Sequence, residues 1–202
     1  MIGSCPHCGN WQWDKEVTET EVICPKCGGR WPLRKLPVYI LTGCSGVGKT
    51  TTGQALQKMT DEFIVLDSDM FHSLLQPRTE EGHMQVVEQT LSLTKNTNQA
   101  GKLTLWTKAG LIDKFPLAYN ARFFSRIKVL ALTAEESELR RRMTEGRQIS
   151  DEGWIESSVD YNHYFRTHTS IGAVPYDALD ITKLSPEQAA KKVLEWLRND
   201  QP

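Results

Sequence analysis

An α/β fold with a five-stranded parallel sheet, preceded by a small metal-bound β unit, is what this sequence predicts. Three observations carry that expectation. Short apolar segments alternate with helical ones from Val38 onward, and a glycine-rich loop joins the first apolar segment to the first helix. Four of the five cysteines also fall in two close pairs near the start of the chain.

The paired cysteines come first in order. Cys5-Pro6-His7-Cys8-Gly9 and Cys24-Pro25-Lys26-Cys27-Gly28 form the pattern C-x₂-C-x₁₅-C-x₂-C. Two residues between thiolates let both sulfurs turn onto one ion, and two such knuckles complete a closed tetrahedral site, so Cys5, Cys8, Cys24 and Cys27 are expected to bind zinc. Iron in a rubredoxin-like site and a redox pair are the alternatives. His7 is read as a solvated knuckle residue. Residues 1–34 form the expected zinc ribbon, with Trp11, Trp13, Val17, Val22, Ile23 and Trp31 on short strands. So small a unit buries too little apolar surface to fold alone, and the metal supplies the remainder. Arg34-Lys35-Leu36-Pro37 links it to a second unit, 38–200.

Val38-Tyr39-Ile40-Leu41-Thr42 reads as a buried strand, and Thr51 to Met59 as a helix. Between them, Gly43-Cys44-Ser45-Gly46-Val47-Gly48-Lys49-Thr50 fits the phosphate-binding pattern G-x-x-x-x-G-K-[ST]. The glycines let backbone N–H groups point into an anion-sized nest, the helix N-terminus adds its positive end, Lys49 reaches the outer phosphates and Thr50 ligates Mg²⁺. Gly43, Cys44, Ser45, Gly46, Val47, Gly48, Lys49, Thr50 and Thr51 are therefore the expected nucleotide-binding residues, with Cys44 as a small space-filler.

Residues 63–67 form the second expected strand, ending in Asp67-Ser68-Asp69. Ligands in open parallel sheets bind beyond the carboxyl ends of the strands, so both carboxylates should face the phosphate site. Asp67 is placed nearer the metal and Asp69 nearer an acceptor hydroxyl. The third strand, 103–107, ends without an acidic residue, which argues against a hydrolysis motor; Lys108 and Asp113 either reach the same rim or sit exposed. A fourth strand, 127–132, leads to a capping box of Thr133 with Glu136. A helix after Asp151 carries Trp154, Ile155, Tyr161, Tyr164 and Phe165 as expected core, and His163 and His168 as structural residues. A weak fifth strand near 177–181 precedes a helix from Pro186 to Arg198, capped by Ser185 with Gln188, whose Ala189, Val193, Leu194 and Leu197 close the core.

At this point the chain resembles small-molecule kinases of the nucleoside-monophosphate-kinase-like group. The run from Gly43 to Thr51, and Leu66-Asp67-Ser68-Asp69-Met70-Phe71-His72, are similar to the phosphate loop and second-strand motif of gluconate and shikimate kinases and of chloramphenicol-phosphotransferase-like proteins. Leu179 to Glu187 is similar to their final strand and the start of their final helix. The resemblance covers roughly residues 38 to 198. It implies a strand order 2-3-1-4-5, ATP and Mg²⁺ as co-substrates, and an arginine-bearing lid. Arg140 to Asp151 is the lid candidate, where a basic helix end runs through Gly146 into a polar loop; Arg147 and Arg142 are the expected phosphate ligands.

Composition sets the outer bounds. The chain has 202 residues, 39% hydrophobic and 24% charged, within the globular range, and its net charge of -1 offers no global attraction for nucleic acid or acidic membranes. Its start lacks a basic segment followed by an apolar one, and no apolar run approaches bilayer length, so a cytoplasmic protein is expected. The leading expectation is an ATP-dependent phosphotransferase acting on a small hydroxyl- or phosphate-bearing acceptor. The alternative is a zinc-ribbon nucleic-acid-binding protein, either an ATPase or a kinase of nucleic-acid ends. The near-balanced charge of the ribbon weighs against that alternative.

Overall fold

The computed structural model describes residues 2–75 and 79–199, so Asp200, the far end of the second expected unit, lies outside the described residues. The chain begins with a three-stranded antiparallel sheet: β1 (Glu16–Val17), β2 (Glu21–Ile23) and β3 (Arg30–Pro32), in the order β1-β2-β3. Then follow β4 (Val38–Thr42), α1 (Lys49–Met59), β5 (Phe63–Asp67), a 3₁₀ segment Ser68–Leu75, α2 (Glu80–Gln99) and β6 (Leu103–Thr107). Two further 3₁₀ segments, Ile112–Leu117 and Tyr119–Phe123, lead to β7 (Ile127–Thr133), α3 (Glu136–Arg141) and α4 (Glu152–Thr167). A small hairpin, β8 (Ser170–Ile171) with β9 (Val174–Pro175), precedes β10 (Asp177–Asp180) and α5 (Pro186–Asn199).

The five larger strands form one sheet in the order β10-β7-β4-β6-β5, with every pairing parallel. Numbered within this unit, that is 5-4-1-3-2, the order the resemblance implies. Strand alternation explains why both faces are covered. On β4, Tyr39 and Leu41 face a cluster with Ala55 and Leu56 of α1 and Ala189, Val193 and Leu197 of α5, whereas Val38 and Ile40 face Val87 and Leu91 of α2. All five residues of β4 are buried, as expected of the central strand.

The expected capping at the last helix is present in both directions. The Gln188 amide donates to Ser185 Oγ at 3.2 Å, and the Ser185 amide to Gln188 Oε1 at 2.9 Å. The Thr133–Glu136 box does not form. Thr133 is the last residue of β7 and buried, α3 starts after Glu135 with no side-chain cap, and the Glu135 amide instead donates to Thr182 Oγ1 at 2.8 Å. Thr133 is claimed by the sheet, and the loop after β10 supplies the missing acceptor.

The ribbon departs from expectation at two residues. Trp11 and Trp13 lie in the loop before β1, not on strands, and are 75% and 60% exposed. Val22 fills the ribbon's interior in their stead. Ile2, Val22 and Leu33 share one buried cluster with Val38, Leu91 and Trp106, so the ribbon rests on the α2 face of the large sheet. The Lys15 amide donates to the Tyr119 hydroxyl at 3.1 Å, and Trp13 stacks on Tyr119 with centroids 5.3 Å apart. Burial of each such aliphatic side chain contributes about 1.5–3 kcal/mol, so the two units stabilise each other.

Candidate active site

The phosphate loop sits between the end of β4 and the start of α1, at the position where the sheet order reverses. The chain runs from β4 through α1 out to β5 on one side and later crosses from β6 over to β7 on the other, and this leaves a crevice above the strand ends. Three glycines of the loop have positive φ, and two of them are obligatory on steric grounds as well. Gly43 has φ 140° and a Cβ on it would lie 2.6 Å from the Leu132 carbonyl oxygen; Gly46 has φ 78° and its Cβ would lie 2.5 Å from Met143 Cγ. The chain can pass this close to β7 and to the Met143 side chain only without side chains of its own. Cys44 is buried, and burial pushes its thiol up to about 11, which leaves it protonated and unreactive at neutral pH.

Lys49 Nζ donates to the carbonyls of Gly43 and Cys44, both at 2.8 Å, so its ammonium lies inside the curl of the loop. Burial lowers its pKa, and the nearby Asp69 and Asp67 carboxylates oppose that shift. Thr50 Oγ1 donates to Asp67 Oδ2 at 3.3 Å, and the Asp69 amide donates to Asp67 Oδ1 at 3.0 Å. Asp67 is thus held at the end of β5 beside the loop hydroxyl, while Asp69, two residues on, is exposed to the cleft. A hydroxyl and a carboxylate oxygen side by side are the hard oxygen donors that Mg²⁺ takes.

These groups line a cleft of about 860 Å³ that includes residues 45–52, Asp67, Asp69, Thr107, Lys108, Arg142, Arg147 and Pro186. Its volume is within the range of sites that hold drug-sized ligands. Strand order divides it. Asp67, Asp69, Thr107 and Lys108 follow β5 and β6 on one side of the loop, and Ile181, Leu184 and Pro186 follow β10 on the other.

The two lid arginines differ. Arg142 donates from Nε to Glu138 at 2.7 Å, from Nη1 to the Val47 carbonyl at 2.7 Å, and from Nη2 to the carbonyls of Ile181 and Thr182 at 3.0 and 3.3 Å. It straps the phosphate loop to the turn after β10. Glu138 also accepts from Arg141, and hydrogen bonds to Arg141 and Arg142 hold its carboxyl down at about 2. Arg147 has its guanidinium 5.5 Å over the Trp154 ring, with no hydrogen bond or ion pair from its side chain among the described residues. A π-helical turn, Arg142–Gly146, widens the end of α3; the Arg147 amide reaches back to the Arg142 carbonyl at 3.1 Å, and Gln148 then takes φ 55°. This irregularity turns the chain so that Arg147 faces the cleft.

Trp154, expected in the core, is 43% exposed and lines the cleft under Arg147. It falls in the first turn of α4, where the apolar stripe begins one residue later with the buried Ile155. Trp154 stands eleven residues, about three turns, before Phe165, so helical spacing alone places it beside that stripe and does not reveal its exposure. Asp151 caps α4 by accepting from the Trp154 amide at 3.1 Å, and Asn162 fastens the helix to the end of β7 through both backbone groups of Ala134. His163 is exposed, and His168 stacks on Tyr164 with centroids 4.1 Å apart.

The cysteine site has the geometry of a closed metal centre. The four sulfurs lie within 4.8 Å of one another, with Cys5–Cys27 at 3.7 Å and Cys8–Cys24 at 3.8 Å. Sulfurs about 2.3 Å from a tetrahedral centre stand about 3.8 Å apart, so the donor set fits zinc without rearrangement. The knuckles are matched: Gly9 donates to the Cys5 carbonyl at 3.0 Å and Gly28 to the Cys24 carbonyl at 2.8 Å. Asn10 Nδ2 points at Cys24 Sγ from 3.7 Å and the Gly29 amide at Cys27 Sγ from 3.4 Å, contacts that favour the thiolates. Elemental analysis is expected to find about one zinc per chain. Cys5→Ser or Cys24→Ser should release it and loosen the first 34 residues; iron in the native protein, or full zinc retention by both variants, contradicts the assignment.

Residues 40–162, more than half of the chain, match the family described as AAA domain. The chain belongs to that family. No curated protein matches the sequence. Among solved structures, it is similar to an unliganded sugar kinase from Janibacter sp. HTCC2649, with 20% identity, TM-score 0.60, and 81% of this chain and 95% of that one covered. It is also similar to a gluconokinase from Sinorhizobium meliloti 1021, at 15% identity and TM-score 0.59, covering 82% and 94%. A tunicamycin resistance protein from Deinococcus radiodurans matches at 16% identity and TM-score 0.56, covering 81% and 95%. At these identities the likeness is one of fold: a phosphate-loop α/β domain of the kinase type. Among the described residues no helix is long and apolar enough to cross a membrane.

Proposed function

We propose that the chain is an ATP- and Mg²⁺-dependent phosphotransferase that moves the γ-phosphate to a small hydroxyl- or phosphate-bearing acceptor. The observation that carries this reading is the convergence of Thr50, Asp67 and Asp69 beside Lys49 in one cleft. Mg²⁺ held by Thr50 and Asp67 would supply positive charge to the phosphate oxygens. Backbone amides of the loop bind the phosphates, and Lys49 neutralises the charge that builds on the transferred group. Asp69 accepts the acceptor's hydroxyl proton and orients that oxygen for in-line attack; the O–H bond breaks, the new O–P bond forms, and ADP leaves. Arg147 is the lid cation free to meet the phosphates, and Arg142 serves by holding the loop in shape. Residues 1–34 and 38–200 are read as two units, with the ribbon as a zinc-bound support for the α2 face.

The exposure of Trp11 and Trp13 favours a second reading, in which the ribbon stacks on nucleic-acid bases. One assay separates the two. Incubation with γ-labelled ATP and a panel of sugars, nucleosides, nucleoside monophosphates and 5′-hydroxyl oligonucleotides should label a small acceptor; label confined to oligonucleotides, and lost in a Trp11→Ala, Trp13→Ala double variant, would favour the second reading.

A further inference from the structure

The last residue of β6, Thr107, and Lys108 directly after it carry two buried polar side chains that the nucleotide-binding groups do not use. Thr107 is 4% and Lys108 5% exposed, yet both line the cleft. Thr107 Oγ1 has no hydrogen-bond partner, and Lys108 Nζ makes neither hydrogen bond nor ion pair, among the described residues. The neighbours of the ammonium are the Phe115 ring, 6.0 Å to its centroid, and the field of Asp69. Burial pushes the Lys108 ammonium down to about 8, and Asp69 only partly restores it. A buried charge and a buried hydroxyl without protein partners are unfavourable, and a bound anion would satisfy both.

Position decides which ligand supplies that anion. Lys108 follows β6, and Thr107 is the register partner of Asp67 on β5, so both stand on the β5/β6 side of the phosphate loop with Asp69. We infer that Lys108, with Thr107 beside it, is an anion-binding subsite for the acceptor, which therefore carries a carboxylate or phosphate group as well as the hydroxyl that Asp69 receives. This rests on the phosphotransferase reading and narrows its substrate class to anionic hydroxyl compounds. A neutral acceptor would leave the ammonium with only the Asp69 field to offset its burial, whereas an anion gains a charge-assisted hydrogen bond from it.

The test fills the phosphate loop with Mg²⁺ and a non-hydrolysable ATP analogue, and then titrates inorganic phosphate and glycolate separately by calorimetry. The wild type should bind at least one of them saturably; tighter phosphate points to a phosphorylated acceptor, tighter glycolate to a carboxylated one. Lys108→Gln and Lys108→Met should weaken that binding about 10-fold or more, as expected for loss of a charge-assisted hydrogen bond, and Lys108→Arg should restore most of it. The analogue's own affinity should stay the same in every variant. Melting temperatures of the Gln and Met variants should hold or rise, because a merely structural lysine would lower them when lost. Absence of saturable anion binding by the wild type, or equal binding by Lys108→Gln and Lys108→Met, overturns the inference. Failure of the analogue itself to bind the wild type would instead strike the phosphotransferase reading.

Discussion

Lys49→Ala should leave the melting transition close to that of the wild type while lowering phosphoryl transfer by about 10²–10³-fold, the scale for removing one preorganised donor from a transition state. Among the described residues the side chain hydrogen-bonds only to the Gly43 and Cys44 carbonyls, and Lys49 itself lines the cleft, so water can take its place and the fold loses little. The transition state loses its nearest fixed cation. Lys108 stands on the β5/β6 side, Arg142 is committed to Glu138 and three carbonyls, and Arg147 comes from the far end of a π-helical turn, so none substitutes for it. Steady-state transfer assays with a thermal melt on the same sample check this; undiminished turnover would remove Lys49 from the chemistry.

Asp69→Asn should keep nucleotide affinity and reduce transfer by about 10²–10⁴-fold, the range for a positioned acid–base group. The substitution retains size and a hydrogen-bond acceptor but removes the charge that takes the hydroxyl proton. Asp67 cannot stand in, because its two oxygens already accept from Thr50 and from the Asp69 amide. Asp67→Asn should therefore act differently and weaken the Mg²⁺ dependence of nucleotide binding. Equal loss of nucleotide affinity in both variants would erase the division of labour between the two carboxylates.

The fold was legible because its signals are local. β4 is apolar on both faces, a loop with two obligatory glycines follows it, and Ser185-Pro186 with Gln188 marks the start of α5. The cysteine spacing likewise survives without tertiary information. What was not legible depends on contacts between distant elements. Thr133 reads as a cap, but parallel pairing of β10 with β7 puts it on Asp180 and extends the strand over it. Trp11 and Trp13 read as residues of ribbon strands, but they lie in an exposed loop, and residues from beyond residue 90, Leu91 and Trp106 among them, cover the ribbon instead. Arg142 and Arg147 look alike in a basic run, and only the π-helical turn and the carbonyls of Val47, Ile181 and Thr182 distinguish strap from free cation. Lys108 was visible as a rim residue; its burial without a partner was not, because that depends on Phe115 and Asp69.

Product stoichiometry distinguishes transfer of a phosphoryl group from its release to water. With Mg²⁺, γ-labelled ATP and an acceptor from the panel, ADP, labelled acceptor and free phosphate are quantified together over one time course. ADP should form one-for-one with labelled acceptor, with little free phosphate and little ADP when the acceptor is omitted. ADP matched by free phosphate at the same rate with and without every acceptor would contradict it.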